Sequence, residues 1–496
     1  MGRPPGRKEP SFRRTVVLLC LLFALSLALY IGSIILPYDI FTHVSRTPIS
    51  MPEIADRKPL PAVLFLATFA ALFGLYAIAY RICRLRPARE LAPLVLLLGL
   101  GLALPLCLTY PIGAGDVVDY VTHGEELAYF GQNPLVIPPA HVEGARFAAY
   151  SAFRYISPNY GPLWMHVSAL VVWAMGNQSL LLNLLGFKAV AVFSYLTQAV
   201  LIYLILRRRE PELAPAGLLF FAWNPLILYE FAVNGHNDAT MMALALLGIL
   251  LWELERPLLM TVALTLSFLI KIPTAPLLLL FLLAAARARS DRPLSFKTLV
   301  SGGLLALAVV GLAYLSLPDP LPALTNLSQR SDLFTHSLPT IASLLLRMAG
   351  WEREAAQQAV RLAALAALGG WYGICLLSTW IKPARALQNA YLFVLFLLLF
   401  TTPWFQPWYV TWLVALAALQ PTASAPAQAG LFSMTVMVSY VIYGFVWFWI
   451  PHIANWENTL GINLMAVSTT FLLPWAYSAW LLGKPRLFRF RVICGR

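Results

Sequence analysis

Apolar runs of roughly 20 residues recur along this chain, the length one α-helix needs to cross the hydrocarbon core of a bilayer. "TVVLLCLLFALSLALYIGSIIL" (15–36) and "LAPLVLLLGLGLALPLCLTY" (91–110) are examples. Hydrocarbon offers the backbone no hydrogen-bond partner, so each spanning segment must satisfy its own amides as a helix. The runs predict an all-α membrane protein, a polytopic bundle of about 14 transmembrane helices. They lie at 15–37, 60–80, 91–110, 182–206, 213–233, 238–254, 258–271, 273–286, 298–316, 357–380, 386–402, 405–420, 428–450 and 461–482. The first is too long for the apolar region of a cleaved signal and is expected to be an uncleaved anchor. A large soluble α protein is excluded, because 60% hydrophobic and 11% charged residues leave too few polar groups to cover a water-facing surface.

A net charge of +13 in a soluble chain would suggest nucleic acid. Here the basic residues sit in short clusters between apolar runs, so the positive-inside rule accounts for them and no nucleic-acid partner is expected. "GRPPGRKEPSFRR", "RICRLRPARE" (81–90), "RRRE" (207–210), "RARSDRPLSFK" (287–297), "IKPAR" (381–385) and "KPRLFRFRVICGR" (484–496) are all assigned to the cytoplasm. Both termini then lie inside a multi-pass protein of the plasma membrane. "LWMHVSALVVWAM" (163–175) would break that parity and is short, so it is expected to be re-entrant or interfacial. No internal repeat or soluble domain interrupts residues 1–496, which read as one membrane domain. Cys20, Cys107 and Cys375 fall in apolar runs and Cys83 and Cys494 in basic clusters, so no disulfide framework is expected.

Two long outer segments remain, at 111–162 and 317–356. Loops of that length are uncommon in compact proteins and tend to be functional. The first carries Asp116, Asp119, Glu125 and Glu126 in "GAGDVVDYVTHGEELAYFGQNPLVIPP" (113–139). Asp116 follows a flexible "GAG" near the outer end of a span, where partial burial suits a carboxylate to accept protons. Glu125 and Glu126 are expected to be solvated. Asp116 and Asp119 stand one helical turn apart, but two carboxylates alone do not make a divalent-metal site. Neither a metal nor another cofactor is expected.

These residues sit within a larger pattern. "GDVVDYVTHGEELAYFGQNPLVIPP", "NYGPLW" (159–164), "WNPLILYEFAVNGHNDATMMALALLGILL" (223–251), "LIKIPTAPLLLL" (269–280) and "FQPWYVTWLVAL" (405–416) occur in this order. The order and content resemble the GT-C superfamily of multispanning glycosyltransferases, especially bacterial members that use polyprenyl-phosphate sugars. The chain departs from that pattern at Asp119, where a basic residue is common, and at Gly161, where the family's Tyr-Pro-Pro element has proline. Three spans also precede the acidic loop, where many members have one.

The resemblance implies a GT-C-like bundle with a long catalytic first outer loop. It implies an inverting hexosyltransferase that moves one sugar from a polyprenyl-phosphate donor to a glycolipid or cell-envelope glycan acceptor. Mannose is the expected sugar, with glucose or a pentose left open. The lipid phosphate leaves without protonation, so Asp116 is the expected general base on the acceptor hydroxyl. Asp119, Tyr120, Tyr160, His236, Asn237, Asp238, Lys271, Gln406 and Trp408 are the expected substrate-binding residues.

Several of these have a plainer reading. Lys271 is a charge between two short apolar helices, which points to donor phosphate unless it snorkels to the interface. His236 points equally to phosphate contact or to simple solvation, and Asp238 is better read as the cap of the helix that follows it. Tyr160, Trp164, Trp404, Trp408 and Tyr409 suit sugar stacking or, equally, an interfacial belt. Arg330, His336 and His452 are weaker candidates, and Lys188 has no reading beyond pairing or snorkelling. The sequons at Asn177 and Asn326 are read as chance. The competing functions are a secondary transporter and a lipid-linked glycan flippase or ligase. A transporter would show internal repeats and midplane polar residues, whereas here the polar residues gather toward one membrane face.

Overall fold

The computed structural model describes residues 12–287, 295–325, 333–450 and 459–483. Among them every regular element is helical, and β-type pairing is limited to two isolated bridges, Asp39 with Thr109 and Thr335 with Trp404. Each apolar run expected to cross is mainly helical, that at 213–233 with a break in it. Eight are long and apolar enough to do so, or nine if one bent pair is a single span. Leu91–Leu106, Asp238–Glu253, Pro257–Phe268, Ile272–Arg287 and Pro407–Ala418 are shorter. Length and composition thus support eight or nine crossings and leave the expected count of about 14 resting on these short helices. Residues 162–175 form a helix of 14 residues, Pro162–Met175.

Ala214–Ala222 and Val410–Ala418 are buried along their whole length and form the centre of the bundle. Gly217 lets them meet, since a Cβ there would lie 2.5 Å from the Ala418 carbonyl oxygen. Phe296–Leu315 and Arg353–Ile381 lie at the periphery with little of their surface covered by protein. Their exposed leucines are what a lipid-facing helix requires.

The bent pair has a local cause. Pro211–Ala222 and Pro225–Val233 meet at 51°. Pro225 has no N–H for the helix before it, and the Asn224 side chain caps the second half by accepting from Leu226 N (3.0 Å). The Trp223 indole N–H anchors the break to the Val95 carbonyl at 3.1 Å. The second half ends in a π-helical turn, Tyr229–Val233, a distortion often found at functional sites. Gly235 then takes a φ of +71° and turns the chain into Asp238–Glu253.

Neither long loop is open. The first contains a helix, Asp116–Phe130, which we call the acidic helix. It packs along Pro162–Met175 at Gly124, where a Cβ would lie 2.4 Å from the Ser168 carbonyl oxygen. The second holds helices Pro320–Thr325 and Leu338–Met348. Arg330, Asn326, His452 and Cys494, with the basic runs at 288–294 and 484–496, lie outside the described residues.

Candidate active site

Asp116 is the first residue of the acidic helix and is half-buried. The "GAG" before it is held at its first glycine. The Gly113 N–H donates to Asn234 Oδ1 at 2.9 Å, and a Cβ at 113 would lie 2.4 Å from the Asn234 amide nitrogen. The segment entering the acidic helix is thereby pinned to the "NGHND" turn.

The Tyr160 hydroxyl donates to Asp116 Oδ1 at 2.5 Å. Its neighbour Gly161 explains why proline is absent there. The Gly161 N–H donates to the Ile270 carbonyl at 2.9 Å, and Leu163 N–H to the Leu269 carbonyl at 3.1 Å. Proline has no N–H to give, and any Cβ would sit 2.1 Å from the Leu269 oxygen. This pairing delivers Lys271 to the site, with its Nζ 6.0 Å from the Tyr160 ring centre and 4.9 Å from that of Tyr409.

Lys271 does not snorkel. It is 6% exposed, and its Nζ donates to both Asp238 oxygens at 3.2 and 3.1 Å. The Trp412 indole N–H donates to Asp238 Oδ1 at 2.6 Å. The expectation that Asp238 caps a helix is therefore wrong. It is the first helical residue, the side chain at the preceding cap position makes no capping bond, and its own carboxylate is committed to Lys271 and Trp412.

His236 is also buried rather than solvated. Its Nε2 lies 3.3 Å from Glu230 Oε2, an ion-pair contact without the alignment of a hydrogen bond. Its ring stacks on Trp408 with centres 4.2 Å apart. Burial alone would lower the imidazole pKa. Glu230, Asp116 and Asp238 outweigh that, and the pKa stands above the ordinary histidine value. Glu230 is held in turn by the Tyr440 hydroxyl and by Asn234 Nδ2 at 2.8 Å. Tyr120 packs edge-on against Tyr160 and Trp164, and its oxygen accepts from the Asn237 backbone N–H at 3.4 Å. Both side-chain polar atoms of Asn237, His236 Nδ1 and Trp408 Nε1 are buried with no hydrogen-bond partner among the described residues. So many orphaned groups in one place suit a polar ligand.

The other expectations fare unevenly. Asp119 is buried and accepts from the Ser151 hydroxyl at 2.5 Å. Among the described residues, no group of three or more His, Cys, Asp or Glu could hold a metal ion. Glu125 and Glu126 are fully buried, not solvated, because that face of the acidic helix is covered. Glu125 accepts from the backbone N–H groups of Arg146 (3.1 Å) and Phe147 (2.9 Å), fixing the loop. Glu126 faces His123 Nδ1 at 3.3 Å. Burial raises the pKa of both carboxyls. Lys188 is wholly buried and donates to the carbonyls of Thr109 (2.5 Å), Ala232 (3.2 Å) and Val233. It ties together the two segments that lead into the site.

Sequence reasoning missed Glu230, Tyr440 and Trp412. Glu230 carried a usable signal, a lone carboxylate inside "LILYEFAV". Beside Trp408 the structure opens a cavity of about 390 Å³, bordered among others by Gly113, Gln406 and Tyr440.

In comparisons with known proteins, the model of a family described as alpha-(1->6)-mannopyranosyltransferase, N-terminal domain, matches residues 24–287, more than half of the chain. A search of the curated proteins finds no match.

Proposed function

Because this chain belongs to the alpha-(1->6)-mannopyranosyltransferase family, a family of glycosyltransferases, we propose that the cluster around Asp116 transfers one mannose from a polyprenyl-phosphate donor to a glycan or glycolipid acceptor. Asp116 takes the proton of the acceptor hydroxyl as that oxygen attacks the anomeric carbon. The C–O bond to the lipid phosphate breaks at the same centre, and its electron pair leaves on the phosphate oxygen. A single displacement of this kind inverts the anomeric configuration.

Tyr160 orients the Asp116 carboxylate through its hydroxyl. His236 and Lys271 face the donor phosphate, each paired in a buried place with its own carboxylate, Glu230 or Asp238. The Asn237 side chain supplies hydrogen bonds to donor oxygens. The reaction takes place on the face of the plasma membrane opposite the Arg/Lys clusters, with both termini in the cytoplasm.

One observation carries this reading: a half-buried carboxylate, oriented at 2.5 Å by a tyrosine, stands among buried polar groups that have no partner of their own. Asp116→Asn keeps the shape and removes the base. It should lower turnover by about 10²–10⁴-fold and leave donor binding nearly unchanged. Transfer of labelled sugar by the purified variant, with donor binding measured alongside, checks this. Wild-type turnover in Asp116→Asn would end the assignment.

A further inference from the structure

We propose that the cavity beside Trp408 is a subsite for one neutral pyranose unit of the acceptor glycan. The inference rests on the transferase reading and adds where the acceptor is held. At 390 Å³, the cavity falls at the small end of the roughly 300–1,000 Å³ range of ligand pockets. Its wall combines the rings of Phe405, Trp408 and Tyr443 with the polar groups of Thr335, Ser439 and Gln406. A pyranose has the matching character, with apolar C–H faces for aromatic rings and hydroxyls at its edge.

Charge narrows the choice. No Asp, Glu, Lys or Arg lines the cavity among the described residues. Arg57 lies on the ring of Phe448, 4.1 Å from its centre, without bordering the cavity itself. His336 does border it, but the ring is buried and its Nε2 is 2.8 Å from Thr470 Oγ1. Burial pushes its pKa down to about 3, so it is neutral. A phosphate here would be desolvated without a counter-charge. A bare hydrocarbon tail would leave the buried Trp408 N–H without a partner. A neutral polyhydroxy ring has neither fault.

The cavity also shares walls with the reaction cluster. Trp408 borders it and stacks on His236, Tyr440 borders it and donates to Glu230, and Gly113 lies three residues before Asp116. A sugar seated there lies beside the cluster that holds Asp116.

The test uses the full chain in detergent, with α-(1→6)-linked mannobiose as the probe. Saturation-transfer NMR reads its binding without any transfer reaction. The wild type should bind it, and Ser439→Trp, which fills the cavity, should not. Gln406→Ala should raise the KM for a mannosyl acceptor by about 3–10-fold, the loss of one or two hydrogen bonds, with the donor KM unmoved. If Ser439→Trp does not fold, Gln406→Ala and Tyr443→Phe decide the matter. Undiminished mannobiose binding in the folded cavity variants overturns the proposal. So does a rise in donor KM alone, which would give the cavity to the donor. Full transfer by Asp116→Asn, with mannobiose binding still lost in the cavity variants, would refute the assigned base and leave the subsite standing.

Discussion

Asp116 and Glu125 lie on one helix and differ in everything around them. Asp116 is half-buried with a tyrosine on its carboxylate, while Glu125 is sealed in and holds two backbone amides. Sequence separated Asp116 from the glutamates by its Gly-Asp motif. It misjudged their solvation because nothing local announces which face of an amphipathic helix a later segment will cover. Glu230 stayed hidden for a related reason, since Tyr440, which holds it, lies 210 residues away. The Glu230–His236 pair makes a prediction with a definite sign. The His236 pKa is raised, so the charged imidazolium is fully present below the ordinary value of about 6.5 and is lost as pH rises through the raised one. If it meets the donor phosphate, the donor KM should climb over that rise. Glu230→Gln removes the supporting carboxylate, so the climb should begin at lower pH. Donor KM measured against pH for both proteins checks this, and superimposable profiles would remove His236 from donor binding.

At the level of elements, the helices were legible because the bilayer imposes their length and the apolar runs record it. The "WNP" bend had a local signal that reading 213–233 as one span did not use, since proline and asparagine break and recap a helix by local chemistry. The pairing of Gly161 and Leu163 with Ile270 and Leu269 was not. It joins backbone to backbone across two distant segments and leaves only a glycine as its trace. Yet it decides that Tyr160 and Lys271 share one site. Gly161→Ala should therefore act on both stability and chemistry. Forcing a methyl group against the Leu269 oxygen should cost about 1–3 kcal/mol. It should also lower turnover by shifting Tyr160 from Asp116. A thermal inactivation midpoint and a kcat would read the two effects. An alanine variant with both unchanged would show that the segments can part without consequence.

At the level of the whole molecule, the distribution of charge predicts that residues 111–162 and the basic clusters face opposite sides of the membrane. Glu143 and Arg208 are both exposed. Cysteines at these positions, in a background without the native thiols, should react with an impermeant maleimide from opposite sides. Labelling from one side only would overturn the topology and the outward-facing site together. Lys188 carries a different consequence, one of timing. An ammonium inside a spanning helix costs about 2.5–3.5 kcal/mol to insert. Two of the three carbonyls that receive it belong to Ala232 and Val233, which leave the ribosome more than forty residues later. The helix Leu180–Arg209 must therefore enter the bilayer in debt and wait for the broken span to settle it. Nascent chains arrested before residue 233 should hold this helix poorly, and Lys188→Met should relieve the defect. Equal insertion of arrested chains with and without the lysine would show that the charge is borne by other means while the protein is still being made.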